Sequence, residues 1–226
     1  MIPRRVPGNG WIVLIGGGEF SFGETELADA AWLEKTSAGS VGFVPTASGS
    51  DEYGQHFADY LEDGYDRKVS TIPIYRTRDA RRGRNGERID ESAAIYLGAG
   101  VAEHLTDVLV DSLALEHLGN KLKTGGVVAA IGASAQALGV SHRDIRGAGR
   151  CAGLGWLPGG VVEINFDPSH DRRLRQMLTW PGVEWGLGLP AGSAVLMGPD
   201  ETVEWVGPAV VLDDPEGDFS TVGDLS

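Results

Sequence analysis

Four short apolar runs, each closing on glycine or another small residue, constrain this chain more than any other feature. They are Trp11–Ile15, Val41–Val44, Ala93–Leu97 and Val127–Ile131. None alternates apolar with polar residues, so each reads as a strand buried on both faces. Between them lie stretches with helical spacing. Glu24–Glu34 turns Leu27, Ala31 and Leu33 inward; Asp51–Asp63 places Phe57, Tyr60 and Leu61 on one side; Val101–Leu118 buries Leu105, Val108, Leu109 and Leu115. Val69–Ile74 supplies a further strand. Strands alternating with helices in this way predict an α/β fold: a doubly wound, mostly parallel sheet flanked by helices. After residue 182 the runs Val183–Leu187, Ala194–Met197, Val203–Val206 and Ala209–Leu212 are separated by turn residues and predict a C-terminal β meander.

At 226 residues the chain is long enough for one substantial core and short for two. A single domain over 1–226 is expected, with 1–10 and 213–226 as terminal extensions. A formal charge of −13 argues against nucleic acid and anionic membrane as partners, because both demand clustered Lys and Arg. The exception is local: Arg76, Arg78, Arg81, Arg82, Arg84 and Arg88 fall in one segment, read as a solvated loop. The single cysteine, Cys151, rules out an intrachain disulfide and any multi-cysteine zinc site. Without an apolar stretch of about 18 residues, a cytoplasmic protein is the default. Any oligomer is expected to be a homodimer, since closed two-fold pairs are commonest.

In parallel sheets ligands sit outside the carboxyl ends of the strands. Gly16–Glu19, Thr46–Ser50, Gly98–Gly100 and Ser134 all fall there. The triple glycine matches neither nucleotide-binding fingerprint, so it reads as close backbone packing and no cofactor is expected. Gly132-Ala133-Ser134-Ala135-Gln136 approximates the G-x-S-x-G elbow, in which a serine hydroxyl stands on a strand-to-helix bend beside backbone N–H groups able to hold an oxyanion. Gln136 replaces the final glycine. His56 lies in its helix with no partner nearby in sequence.

Several segments line up in one order: I-V-L-I-G-G-G-E, V-G-F-V-P-T-A-S, A-I-Y-L-G-A-G, A-A-I-G-A-S-A-Q-A, G-L-G-W-L-P-G-G-V-V-E-I-N-F and G-L-G-L-P-A-G-S-A-V. From Trp11 to Leu212 the series resembles peptidase family S51, the serine peptidases that include aspartyl dipeptidase (peptidase E) and cyanophycinase. The resemblance implies a class I glutamine-amidotransferase-like, flavodoxin-like three-layer sandwich and hydrolysis of a peptide or small amide. It implies Ser134 as nucleophile, with Gly100 and Ala135 as oxyanion donors. The family's D-Q-H-F segment sets the base. Aligned without gaps it places Asn165 before Phe166, and in a shifted register it places His170 in the role. His142 is a poorer candidate. The acid is unassigned, with Asp144 the nearest carboxylate. Arg143, Arg146 and Arg150 follow the serine and, if they line the pocket, favour an acidic group on the substrate. The alternative is a catalytically silent binding or regulatory domain, suggested by Gln136, Asn165 and the missing acid.

Overall fold

The computed structural model describes residues 3–146 and 149–223, so residues 1–2 and 224–226 of the expected extensions, together with 147–148, lie outside it. Strands β1 (Trp11–Ile15), β2 (Val41–Val44), β3 (Val69–Thr71), β4 (Ala94–Leu97) and β5 (Val127–Ile131) pair in parallel. Antiparallel β10 (Ala194–Met197) and β11 (Val203–Val206) extend that sheet to seven strands in the order β11-β10-β1-β5-β4-β2-β3. The expected mostly parallel α/β sheet is present.

Side-chain alternation explains why these strands are apolar throughout. Ile12 and Leu14 of β1, with Val128 and Ala130 of β5, enter one core cluster. Val13 and Ile15, with Val127, Ala129 and Ile131, enter the other. The second is covered by helices α1 (Glu26–Glu34) and α2 (Asp51–Tyr65), through Trp32, Leu33, Phe57 and Leu61. Leu27 is 73% exposed: the inward stripe of α1 runs through Ala28 and Trp32 and leaves Leu27 outside. The first cluster is covered by α3 (Thr77–Ala80), α4 (Gly83–Glu91), α5 (Ala102–Leu109) and α6 (Leu113–Lys123).

Two expected elements differ. The arginine-rich segment is not a plain loop, because buried Ala80, Asn85 and Ile89 anchor α3 and α4 while the arginines stay at the surface or partly exposed. The helix expected over 101–118 is two: Asp111 takes φ 51°, and Ser112 starts a new helix by accepting from the Leu115 N–H at 3.2 Å. The C-terminal strands also divide between sheets. After α7 (Ala133–Ala137) come a hairpin of β6 (Ser141–Arg143) and β7 (Arg150–Ala152), then β8 (Gly160–Ile164), α8 (Arg172–Leu178), β9 (Trp185–Leu189), β12 (Ala209–Leu212) and β13 (Ser220–Val222). These last four strands make a second sheet, β13-β12-β9-β8, so the meander is broken by β10 and β11 joining the large one. Among the described residues no helix is long and apolar enough to cross a membrane.

A buried carboxylate ties α1 to α2. Asp29 is fully buried and accepts from Thr25 Oγ1 at 2.7 Å, Trp32 Nε1 at 2.8 Å and the Tyr60 hydroxyl at 3.1 Å. Burial raises its pKa against those bonds. A raised carboxyl pKa stabilises the fold fully below the unfolded value and loses that contribution as pH rises through the folded one. Asp29→Asn is expected to destabilise by about 1–3 kcal/mol, and the gap to wild type widens as pH falls from 7 toward 4. Urea midpoints at both pH values measure this; a gap that narrows on acidification refutes it.

Candidate active site

The site forms where β1, β4 and β5 end together and the tip of β8 is tied to them. Gly132 donates its N–H to the Ile15 carbonyl at 2.9 Å, and Asn165 donates its own to Gly16 at 2.8 Å. Register fixes the bend: Ile131, opposite Ile15, is the last residue of β5, and the chain turns at Gly132 with φ 58° and ψ −125°. Any residue with a Cβ is strained there, and at an elbow this is the residue whose side chain stands at the apex. The apex is therefore Gly132. A Cβ at that position would meet Ala99 at 3.6 Å and Ile164 at 3.9 Å, ordinary contact distances.

Ser134, expected at the apex, lies two residues further on, inside α7. It is fully buried, and its hydroxyl donates to the Gly98 carbonyl at 2.6 Å. Ala135, expected as an oxyanion donor, gives its N–H to the Gly132 carbonyl at 2.9 Å within the first turn. The N–H groups of Ala133 and Ser134 precede the helix's first internal bond. Gly100, the other expected donor, takes φ 153° and lines a cavity shared with Ala133.

The candidate bases take partners other than Ser134. His170 is 83% exposed and pairs through Nδ1 with Asp167 at 2.8 Å. The hydrogen bonds from Ser169, together with that from His170, hold the Asp167 carboxyl down at about 2. His142 is buried, its Nδ1 against the Arg143 carbonyl at 2.9 Å and its Nε2 3.4 Å from Thr106 Oγ1. Among the described residues no imidazole hydrogen-bonds Ser134. Asn165 caps β8 with φ 47°, its carboxamide pressed over the Cα of Gly17. His56 lines a separate cavity of about 440 Å³ beside Phe20, Tyr53 and Tyr60. In that cavity burial pushes the Tyr53 hydroxyl up to about 12, and this hydroxyl accepts from the Ala99 N–H at 3.5 Å.

The cavity at the elbow holds about 350 Å³ and is lined by Gly100, Ala133, Gln136, Arg143, Ile164 and Arg173, among others. Arg143 and Arg146 line it as the sequence suggested, together with Asp144; Arg150 instead donates to Ser141 Oγ at 2.8 Å. Sequence reasoning missed Glu163 and Arg173. Glu163 is buried and takes Arg143 Nη2 on both carboxylate oxygens, at 3.0 and 3.1 Å, with Arg173 Nη1 at 3.9 Å. Burial raises the Glu163 pKa, while the two guanidinium groups oppose the rise. No local motif marks this trio, because β6, β8 and α8 bring it together: Arg143 and Glu163 lie 20 residues apart along the chain, and Arg173 comes from the helix that follows. Among the described residues no His, Cys, Asp and Glu cluster could hold a metal ion.

A strand-to-helix elbow at the carboxyl edge of a parallel sheet, facing glycine-rich bends, defines a hydrolase-type α/β scaffold. Its family is shown directly: the model of peptidase family S51 matches residues 12–201, and the chain belongs to that family. The fold resembles the crystal structure of a peptidase from an acI-B1 Actinobacterium, with a TM-score of 0.73 and 17% identity over 97% of each chain. It also resembles a putative peptidase E protein from Listeria monocytogenes EGD-e, with a TM-score of 0.62 and 15% identity over 87% of this chain and 98% of that one. No curated protein sequence matches the chain. Membership in a peptidase family supports a peptidase or hydrolase.

Proposed function

We propose that this chain is a member of the family that holds a peptide or related amide in the elbow cavity without cleaving it through a serine. The observation that carries the reading is the apex: Gly132 has no side chain with which to attack a carbonyl. Asn165 at the tip of β8 agrees with it, since an asparagine cannot serve as general base at neutral pH. The cavity has Gly100 and Ala133, the first residue of α7, on its wall.

A second reading, serine hydrolysis through Ser134 and His170, draws on the family and on the contact of the Ser134 hydroxyl with the Gly98–Gly100 bend. It requires that hydroxyl to leave the Gly98 carbonyl and an imidazole to reach it. Incubation with a panel of N-acetyl dipeptide amides separates the two. The expected result is saturable binding with no product above the uncatalysed control. Product that disappears in Ser134→Ala establishes the hydrolase instead.

A further inference from the structure

The arginine-rich segment after β3 plays no part in the elbow cavity. Residues 76–84 hold five arginines and one aspartate, in a chain whose formal charge is −13. Arg76, Arg78, Arg81, Arg82 and Arg84 are all exposed. Among the described residues, Asp79 is the one carboxylate within ion-pair distance of any of these guanidinium groups. It lies 3.2 Å from Arg82 Nη1 and 3.8 Å from Arg78 Nε. A chain with 32 acidic residues therefore leaves Arg76, Arg81 and Arg84 without an ion pair to any described residue.

The backbone that carries these arginines is tied down. Asp79 is buried, and its Oδ2 accepts the N–H groups of Arg76 at 3.2 Å and Tyr75 at 3.4 Å. Asn85, buried as well, donates from Nδ2 to the carbonyls of Asp79 at 3.0 Å and Pro73 at 3.3 Å. Ala80 and Ile89 enter the core. Like charges held this close repel one another, and a docked anion relieves that repulsion.

The extent of the patch selects the anion. None of the five arginines lines the elbow cavity or the cavity beside Tyr53, so the anion is met on an open surface. Guanidinium forks hold carboxylates through paired hydrogen bonds. Further along α4, Glu87, Asp90 and Glu91 outnumber Arg88, and the sign of the surface reverses. Salt-sensitive binding to nucleic acid engages about 6–10 phosphates. The patch has too few cations for that, and a longer strand would run onto acidic surface. A short run of carboxylates ends where the patch ends.

We infer that the arginine face of α3 and the start of α4 docks a short acidic peptide segment of a partner protein. Docking there does not depend on what the elbow cavity holds. The probe is a dye-labelled octapeptide of glutamate, titrated with the full-length protein at pH 7 and read by fluorescence anisotropy. Saturable binding is expected in 50 mM NaCl and at least about fivefold weaker binding in 200 mM, because salt screens exposed charges. Arg81→Glu/Arg84→Glu weakens it at least about 20-fold by setting like charges face to face. Lys68→Glu/Arg172→Glu makes the same change in net charge at exposed positions elsewhere, and binding stays within about twofold of wild type. Should the first pair melt early, Arg81→Gln/Arg84→Gln removes the same cations without adding acid and weakens binding at least about fivefold.

No saturable binding of the octapeptide overturns the inference. So does equal weakening by the two glutamate pairs, which would reduce the effect to bulk charge. Tighter binding of a dye-labelled thymidine nonanucleotide would make the partner a nucleic acid instead. A salt-sensitive dimer of the wild type that Arg81→Glu/Arg84→Glu abolishes would seat a second copy of this chain on the patch, and contradicts a separate partner.

Discussion

A cysteine placed at position 132 is expected to react with iodoacetamide at least about 100-fold faster than one placed at position 134. The comparison is made with Cys151→Ala in both proteins; burial and Glu103 already hold the Cys151 thiol at about 11, where little thiolate exists. A side chain at the apex starts from a Cβ with ordinary contacts to Ala99 and Ile164, and Ala133 and Ile164 line the open cavity. A thiol at 134 inherits a fully buried position under the Gly98 carbonyl and waits for local opening. An opening cost of about 2.7 kcal/mol already gives a 100-fold difference when each tenfold is about 1.4 kcal/mol. The apex cysteine carries its own cost of about 1–3 kcal/mol in strain at φ 58°, so thermal melts accompany the kinetics. Equal rates, or faster reaction at 134, would place the exposed position of the elbow at the serine.

The second large effect is structural. Gly100 takes φ 153°, and a Cβ there would overlap the Ala47 carbonyl. The same carbonyl accepts the Val101 N–H at 2.9 Å, which docks the start of α5 against the loop after β2. Neither backbone can give way without breaking that bond. Gly100→Ala is therefore expected to cost about 3 kcal/mol or more, from strain and overlap together. For a chain of this size that corresponds to a fall in melting temperature of roughly 6–12 °C. Gly132→Ala is the control, since it meets the strain without the overlap and costs less. A Gly100→Ala protein within about 1 kcal/mol of wild type in urea would show that the bend is not held as described.

The parallel core was legible because its physics is local. Runs such as Trp11–Ile15 and Val127–Ile131 are apolar at every position, and a strand buried on both faces needs that. The break after Leu109 had a readable signal in Ser112, a helix cap followed by apolar Leu113. The two short helices of the arginine-rich segment had a weaker one in Ile89. The position of the elbow apex was not legible from the motif alone. Gly132-Ala133-Ser134 fits a serine elbow as text, but the pairing of Ile131 with Ile15 decides where the strand stops, and that is a property of two strands. The cavity wall was beyond reach for a related reason: Arg143, Glu163 and Arg173 meet only through the packing of a hairpin, a second sheet and a helix. Asn165 is the opposite case. Its place before Phe166 was visible in the ungapped register, and the structure seats it at the end of β8 beside the glycine turn of β1.

Intact-mass measurement after exposure of the wild-type protein to a serine-reactive fluorophosphonate tests the central claim most directly. With glycine at the apex and Ser134 buried on the Gly98 carbonyl, the protein is expected to keep its unmodified mass. A single adduct that maps to Ser134 and vanishes in Ser134→Ala would contradict the claim and make this chain a serine hydrolase.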